Sequence, residues 1–292
     1  MKGQHIKHVF ELSLASLLIS TSGALGRFIE MPTPVIIWWR SFLGLIFIYA
    51  YCRYKKINLN INSKKDIPTF IISALFLGAH WITYFYALKL SNVALGMLSL
   101  YTFPVIITLL EPLFIKVKFD MMHLVLGAMV LMGIYILAPE FDFQNSHVKG
   151  ILLGILSAVF YAIRILILKQ HVVRYNGTML MFYQLFILTI VLAPVLYFMD
   201  TSAIKSQYPY ILVLALITTA IGHSIFVHSL KYFSASTASI ISSALPIYGI
   251  FIGFIFLGEV PNWNTFFGGL LIISTVVIES IRSKKKMLAK SA

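Results

Sequence analysis

Ten apolar stretches follow one another between Val9 and Ile281, and each is long enough to cross a lipid bilayer. A spanning helix needs about 20 apolar residues. The pattern therefore predicts an all-α integral membrane protein with ten transmembrane helices, which we call spans one to ten. They are expected at residues 9–29, 33–53, 68–89, 92–115, 122–138, 150–169, 178–198, 209–230, 235–257 and 263–281.

The composition excludes a water-soluble fold. Of the 292 residues, 59% are hydrophobic and 11% are charged, and a soluble fold of this size needs more polar surface than these residues supply. The segments between the spans are short and leave no room for a soluble domain. The lone Cys52 belongs to no metal-spacing motif, and we expect no metal, no cofactor and no catalytic residue.

The second half of the chain repeats the first at an almost constant offset of 142 residues. Each half carries an odd number of spans, so the second half is expected to sit upside down in the membrane. Two inverted five-helix repeats are the architecture of secondary transporters. The repeats are assigned to residues 1–140 and 148–284, followed by a basic cytoplasmic tail at 285–292. The clearest matches pair Ala87-Leu88-Lys89 with Ser229-Leu230-Lys231, Pro104 with Pro246, and Gly127 with Gly269.

The basic residues fall on one side of the predicted membrane. The net charge is +13, and with a cytoplasmic N-terminus 17 Lys and Arg lie in inner segments against 4 in outer segments. This asymmetry agrees with the positive-inside rule. It predicts a multi-pass protein of the cell (inner) membrane with both termini cytoplasmic, and it assigns the positive charge to membrane lipids and not to nucleic acid. The outer basic residues are Arg27, Lys89, Lys149 and Lys205.

Two prolines interrupt apolar helices at corresponding places in the two halves. Pro104 and Pro246 each remove a backbone hydrogen bond, and paired interruptions of this kind point to a transport site. We interpret them as gating hinges, with simple packing kinks as the alternative. In span four, Tyr101, Pro104, Thr108 and Glu111 follow at helical spacing and share one face. The matching stripe in span nine is Ser236, Ser239, Ser243 and Pro246, and span six carries a further stripe of Gly150, Gly154, Ser157, Tyr161 and Arg164.

Ionisable groups inside the spans are the candidate functional residues, because a charge at a helix centre costs about 2.5–3.5 kcal/mol. Arg40 lies about two turns inside span two, too deep to reach the surface, so it is expected to face the bundle. It contacts substrate or a gate, or forms a structural ion pair. Glu111 carries a proton or pairs with a basic residue. Arg164, with Glu11 and Glu279, lies nearer the inner boundary and is expected to reach headgroups in a structural role.

His80 and His223 lie near the middle of spans three and eight. Histidine changes protonation near neutral pH, so His80 is a second candidate for proton coupling; the alternative is a hydrogen bond to a neighbouring helix. Aromatic residues suit a cavity for an amphipathic or aromatic ligand, with core packing as the alternative. The complete predicted substrate-binding set is Arg40, His80, Trp81, Tyr84, Tyr101, Tyr161, His223, Ser243 and Tyr248.

Taken together, these features resemble the EamA-type members of the drug/metabolite transporter superfamily, over essentially the whole chain. The resemblance implies ten helices, cytoplasmic termini, and a central cavity built by spans one to four and six to nine, with spans five and ten peripheral. It also implies alternating access and, often, export of amino acids or related metabolites. The residues that carry it are Arg40, Tyr86-Ala87-Leu88-Lys89 before Pro104, and the second-half counterpart ending in Pro246 and Gly258-Glu259.

One position departs from the family pattern. The second half has Gly258-Glu259 after its proline helix, whereas the matching first-half positions are Lys116-Val117, with Glu111 six residues earlier. A role carried over to the first-half glutamate is therefore in doubt. The arginine of span two matches in type and place.

The sequence favours a secondary transporter, exporter or exchanger, that moves a small organic metabolite by alternating access around a midplane cavity. One alternative is a translocase for a lipid-linked carrier, which a lateral opening would reveal. An integral-membrane transferase is weakly supported, because no cluster of nucleophile, base and orienting group is readable. A structural or chaperone-like membrane protein is a further alternative. Substrate, direction, coupling and oligomeric state do not follow from the sequence.

Overall fold

The computed structural model describes the backbone of residues 2–114, 121–137, 142–233, 238, 241–242 and 244–291, and their side chains except at 2–6, 279, 280 and 283–291. Regular structure in these residues is helical, and they contain no strand. The protein is therefore all-α where it is described. The predicted site residue Ser243 and the departing pair Lys116-Val117 lie outside the described residues.

The helices follow the predicted apolar stretches closely. The first half contains α1 (Lys2–Phe28), α2 (Thr33–Tyr54), α3 (Ile67–Leu90), α4 (Val93–Leu100), α5 (Phe103–Phe114) and α6 (Met122–Leu137). The second half contains α7 (Ser146–His171), α8 (Gly177–Val191), α9 (Val195–Phe198), α10 (Ile204–Val213), a π-helical segment (Leu214–His223), α11 (Ser224–Ser229), α12 (Ala244–Leu257) and α13 (Trp263–Ser291). A single 3₁₀ turn, Lys64–Asp66, precedes α3.

Six stretches of the described chain are long and apolar enough to cross a membrane: α1, α2, α3, α4 with α5, α7, and α10 through α11. Four shorter apolar helices accompany them, namely α6, α8, α12 and the first part of α13. Because soluble proteins rarely contain even one such stretch, this is a multi-pass membrane protein.

Asparagine side chains define where three helices begin. Asn92 accepts the Leu95 N–H at 2.8 Å, Asn145 caps α7, and Asn176 caps α8 in the same way. An Asn at this position satisfies one of the backbone donors left free in the first turn of a helix. Short polar caps thus separate apolar runs that would otherwise read as continuous.

Span four is broken where the sequence predicted one continuous helix. The helix α4 ends at Leu100, and α5 begins at Phe103. Pro104 has no N–H to donate to the carbonyl of Leu100, and Thr102 instead donates its hydroxyl to the Ser99 carbonyl at 2.9 Å. Pro246 likewise lies in the first turn of α12. Both prolines therefore stand at the start of a helix.

The predicted span eight contains a π-helical segment between α10 and α11. The wider π turn brings two consecutive threonines, Thr218 and Thr219, to the same neighbour, and both hydroxyls also donate to the Leu214 carbonyl. Segments of π-helix are rare and often occur at functional sites. Apolar periodicity in the sequence does not reveal this one.

The helices from the two halves pack against one another. The helix α3 lies along α7, α1 lies along α12 and the π segment, and α6 lies along α13. A Cβ added to Gly154 of α7 would come within 2.5 Å of the Ser99 Cβ, so the two chains approach closely there. Small residues permit such approach in membranes. The main core cluster joins α1, α2, α3, α7 and α8, and a second cluster joins α5, α6, α7 and α13.

Candidate substrate-binding site

A small cavity lies where both halves of the chain meet. It encloses about 30 Å³, which is room for one or two water molecules. Six of the nine predicted binding residues line it, namely His80, Trp81, Tyr84, Tyr101, Tyr161 and His223. The remaining lining residues, which the sequence analysis missed, are Ile19, Ser22, Leu100, Phe103, Phe226, Ser242 and Leu245.

The lining follows the 142-residue offset of the sequence repeat. Among the 13 lining residues, five pairs are repeat mates: Ile19 with Tyr161, Trp81 with His223, Tyr84 with Phe226, Leu100 with Ser242, and Phe103 with Leu245. Corresponding positions in the two halves thus face the same space. Applied to the predicted residues Tyr161 and Tyr84, the same offset identifies two of the missed residues, Ile19 and Phe226.

His80 is fixed by α7. Its Nδ1 lies 2.7 Å from the Ser157 Oγ, and that hydroxyl donates to the His80 carbonyl at 2.9 Å. Since the single hydroxyl hydrogen is used there, Nδ1–H is the donor to Ser157 and Nε2 is left as the acceptor. The ring also stacks on Tyr161, with centroids 4.5 Å apart. His80 therefore occupies one defined orientation at the cavity wall.

Arg40 faces the bundle, as its depth in span two predicted. Its side chain is 1% exposed, and its guanidinium donates to the hydroxyls of Thr218 and Thr219 at 2.9–3.2 Å. The Cζ atom lies 3.8 Å from the ring centroid of Trp81, a cation–π distance. Trp81 lines the cavity and Arg40 does not, so Arg40 lies behind this ring.

The sequence analysis predicted that Arg164 reaches the lipid headgroups, and this prediction was wrong. Its side chain is fully buried, because the stripe that carries Tyr161 also turns Arg164 towards α8. The Nη2 atom of Arg164 donates to the Gln184 Oε1 at 2.8 Å and lies 3.1 Å from the Met181 Sδ. Among the residues that the structure describes, the Nε and Nη1 atoms have no hydrogen-bond partner.

Other buried polar atoms around the cavity also lack partners among the described residues. They include the His223 Nδ1 and the Gln184 Nε2, and the Tyr84 hydroxyl, which faces Ser22 without a hydrogen bond of good geometry. An unsatisfied buried polar group costs about 1–3 kcal/mol. Such groups need a further partner, either a ligand or an ordered water molecule.

Two further predicted residues, Glu111 and Tyr248, do not line the cavity. Glu111 is half-buried near the end of α5, close enough to Lys169 for their charges to interact. Tyr248 is half-buried on α12 and is not a lining residue. The hinge candidates Pro104 and Pro246 each directly follow a lining residue, so a bend at either proline would move the cavity wall.

One polar link joins the halves at the end of the bundle predicted to face outward. Gly258 ends α12 with φ +67°, a left-handed conformation that favours glycine. The next residue, Glu259, accepts the Val93 N–H at 2.7 Å and lies 3.3 Å from the Arg27 Nε. Arg27 also donates to the Lys89 carbonyl at 2.9 Å. The Gly-Glu pair therefore ties α12 to α1 and to the start of α4.

A second link joins the halves at the opposite end. Asp66 accepts from Arg174 at 3.1 Å and from the Tyr175 hydroxyl at 2.7 Å. Burial, followed by the hydrogen bond to Asp66, raises the pKa of the Tyr175 hydroxyl. Lys169, the repeat mate of Arg27, donates to the carbonyls of Leu230 and Phe233 at 2.7 Å. The cavity thus lies between two polar links.

A family model described as the EamA-like transporter family matches residues 7–138 and 148–281. The pseudopaline exporter CntI from two strains of Pseudomonas aeruginosa is 24% identical over 275 residues, which covers 93% of this chain and 95% of that protein. An uncharacterized transporter of Archaeoglobus fulgidus is 25% identical over 268 residues, covering 91% and 93%. A protein crystal structure superposes with a TM-score of 0.72 at 17% identity, covering 94% of this chain and 97% of that one, which shows a shared fold.

Proposed function

Because the chain belongs to the EamA-like transporter family, within the drug/metabolite transporter superfamily, we propose that it exports a small organic metabolite by alternating access around the central cavity. One observation carries the proposal: five pairs of lining residues are repeat mates. A site at the interface of two repeats is typical of transporters that work by alternating access. The named exporter among the relatives supports the direction of transport.

The proposed arrangement has ten spans in two inverted repeats. The distribution of Lys and Arg supports cytoplasmic termini and residence in the cell membrane. In this topology the Glu259 link closes the outer end of the cavity, and the Asp66 link lies at the inner end. The cavity volume of about 30 Å³ supports a closed state, and substrate enters when one link opens.

The lining chemistry supports a cargo with an aromatic or apolar part, such as an amino acid or a related compound. Trp81, Tyr101 and Phe103 supply ring surface, and the hinges at Pro104 and Pro246 move that surface during gating. For proton coupling, His80 at the wall is better placed than Glu111, which lies outside the lining. Exchange and facilitated diffusion remain the alternatives to coupling.

Efflux from proteoliposomes tests the proposal. Vesicles loaded with a mixture of amino acids, amines and related metabolites are analysed by mass spectrometry for solutes that leave only when the protein is present. Trp81→Ala is expected to abolish that efflux, because Trp81 is 1% exposed at the cavity. Trp263→Ala, at a residue 76% exposed on α13, is the matched control and retains it. Absence of protein-dependent efflux for every solute contradicts the proposal. An efflux rate that does not depend on a pH gradient excludes proton coupling.

One observation favours a second candidate, a translocase for a lipid-linked carrier. A groove of about 570 Å³ lies between α1, α2 and the π segment, a volume within the range of small-molecule sites. Its walls include the exposed apolar residues Tyr51, Leu216 and Ile221 and the polar Glu11 and His228. A lateral groove of this composition suits an amphipathic cargo. Protein-dependent flipping of a fluorescent polyprenyl phosphate in vesicles would support this candidate over the first.

A further inference from the structure

The membrane interior of this protein carries positive charge without nearby negative charge. Of the 23 Lys and Arg residues, Arg40 and Arg164 are the two that lie inside predicted spans away from their ends. Both side chains are at most 1% exposed. Among the described residues, neither guanidinium has a carboxylate within 4 Å.

The two guanidinium groups differ in how well they are satisfied. Arg40 makes three hydrogen bonds to threonine hydroxyls and stacks on Trp81. Arg164 makes one hydrogen bond to a neutral amide and one contact to sulfur, and within the described part of the chain its Nε and Nη1 have no partner. A buried charge without a counter-charge is strongly unfavourable. Arg164 is therefore the group that gains most from an incoming anion.

Arg164 lies beside the cavity, behind the lining residue Tyr161. Its repeat mate is Ser22, which lines the cavity. Tyr161, one turn earlier on α7, is a lining residue, and its ring centroid lies 5.8 Å from the Arg164 Cζ. The lining residues His80 and His223 lie within electrostatic range of both arginines. The free N–H groups of Arg164 would join the cavity wall if the cavity widened towards α8, where Gln184 and Met181 contact the same guanidinium.

We propose that the cargo is an organic oxyanion, a carboxylate or a phosphate monoester, whose charged group binds the free N–H groups of Arg164 while Arg40 adds a second positive charge across the cavity. This inference rests on the proposed function and names the substrate class of its site. Guanidinium groups form charge-assisted hydrogen bonds with such anions. The aromatic wall holds the apolar part of the same molecule.

Ligand-dependent thermal unfolding of the purified full-length chain tests the inference. The probes share a phenyl group and differ in charge: phenylsuccinate, phenyl phosphate, the neutral phenylsuccinamide and the cation phenethylamine, each at 10 mM. We expect at least one anion to raise the Tm by about 2 °C or more, and the amide and amine to leave it unchanged. The larger shift between the two anions identifies the headgroup. Equal stabilisation by phenylsuccinamide overturns the inference.

Variants locate the binding group. Arg164→Gln is expected to abolish the anion-induced Tm shift, whereas Arg164→Lys keeps the charge and retains part of it. Arg53→Gln, an exposed arginine at the end of α2, is the control and retains the full shift. A full shift in Arg164→Gln overturns the inference, and the comparison of probes on the parent protein decides the matter if that variant does not fold.

The inference and the proposed function fail in different ways. Protein-dependent efflux that is confined to cations or neutral solutes refutes an anionic cargo while supporting a transporter. Anion binding that depends on Arg164, without efflux of any solute, supports the inferred site while contradicting the proposed transport.

Discussion

Removing the Glu259 carboxylate is expected to open the outer end of the cavity. Its Arg27 pair joins side chains that are 38% and 22% exposed, and ion pairs of this kind contribute about 0.2–1 kcal/mol. The hydrogen bond from the Val93 N–H, at the start of α4, contributes about 1–2 kcal/mol in the manner of a helix cap. Together they favour the closed form by about 1–3 kcal/mol, which is roughly 5- to 150-fold in population.

Two substitutions separate these contributions. Glu259→Ala removes both, so the open population should rise by the full roughly 5- to 150-fold. Glu259→Gln keeps an oxygen for the Val93 N–H and loses the charge, so the rise should be only about 1.4- to 5-fold. The rank order of Ala above Gln above parent is therefore the signature of this link.

A single cysteine in the cavity measures the population. Cys52 is the only cysteine in the chain and is buried, so Ser22→Cys in a Cys52→Ser background places one reporter on the cavity wall. A membrane-impermeant maleimide added outside intact cells reacts at a rate proportional to the open fraction. Glu30→Ala, at an exposed acidic residue near the same end, is the control and leaves the rate unchanged. Equal labelling of Glu259→Ala and the parent refutes the reasoning.

Two further changes test packing and the support of the buried charge. Gly268→Ala places a Cβ 2.8 Å from the Gly133 carbonyl and should lower the free energy of unfolding by about 1–3 kcal/mol. Gly127→Ala, with its nearest neighbour 4.0 Å away, should raise it by about 0.5–1 kcal/mol. Thermal unfolding in detergent shows whether the two Tm shifts have opposite signs. Thr219→Val removes the acceptor that Arg40 uses at 2.9 and 3.0 Å and should destabilise by about 1.5–3 kcal/mol, and an unchanged Tm contradicts the importance of this contact.

The sequence alone predicted a membrane protein, because hydrophobic length is a property of the linear chain, and its resemblance to EamA-type transporters indicated the family that the family model shows. Burial of Arg40 followed from its depth in an apolar run, since a charge that cannot reach water must face protein. The aromatic and histidine residues of the cavity followed from helical spacing within each span. The repeat offset also contained information about the cavity wall, because it pairs Ile19 with Tyr161 and Phe103 with Leu245 there.

The tertiary structure decided how helices from different parts of the chain face one another. No local pattern placed Trp81 between Arg40 and the cavity, or turned Thr218 and Thr219 together through a π-helical segment. The burial of Arg164 depends on α8 covering it, a contact between helices that spacing within α7 cannot specify. Periodicity determines which residues share a face of a helix, whereas the choice of neighbour for that face is a packing problem that only the assembled bundle solves.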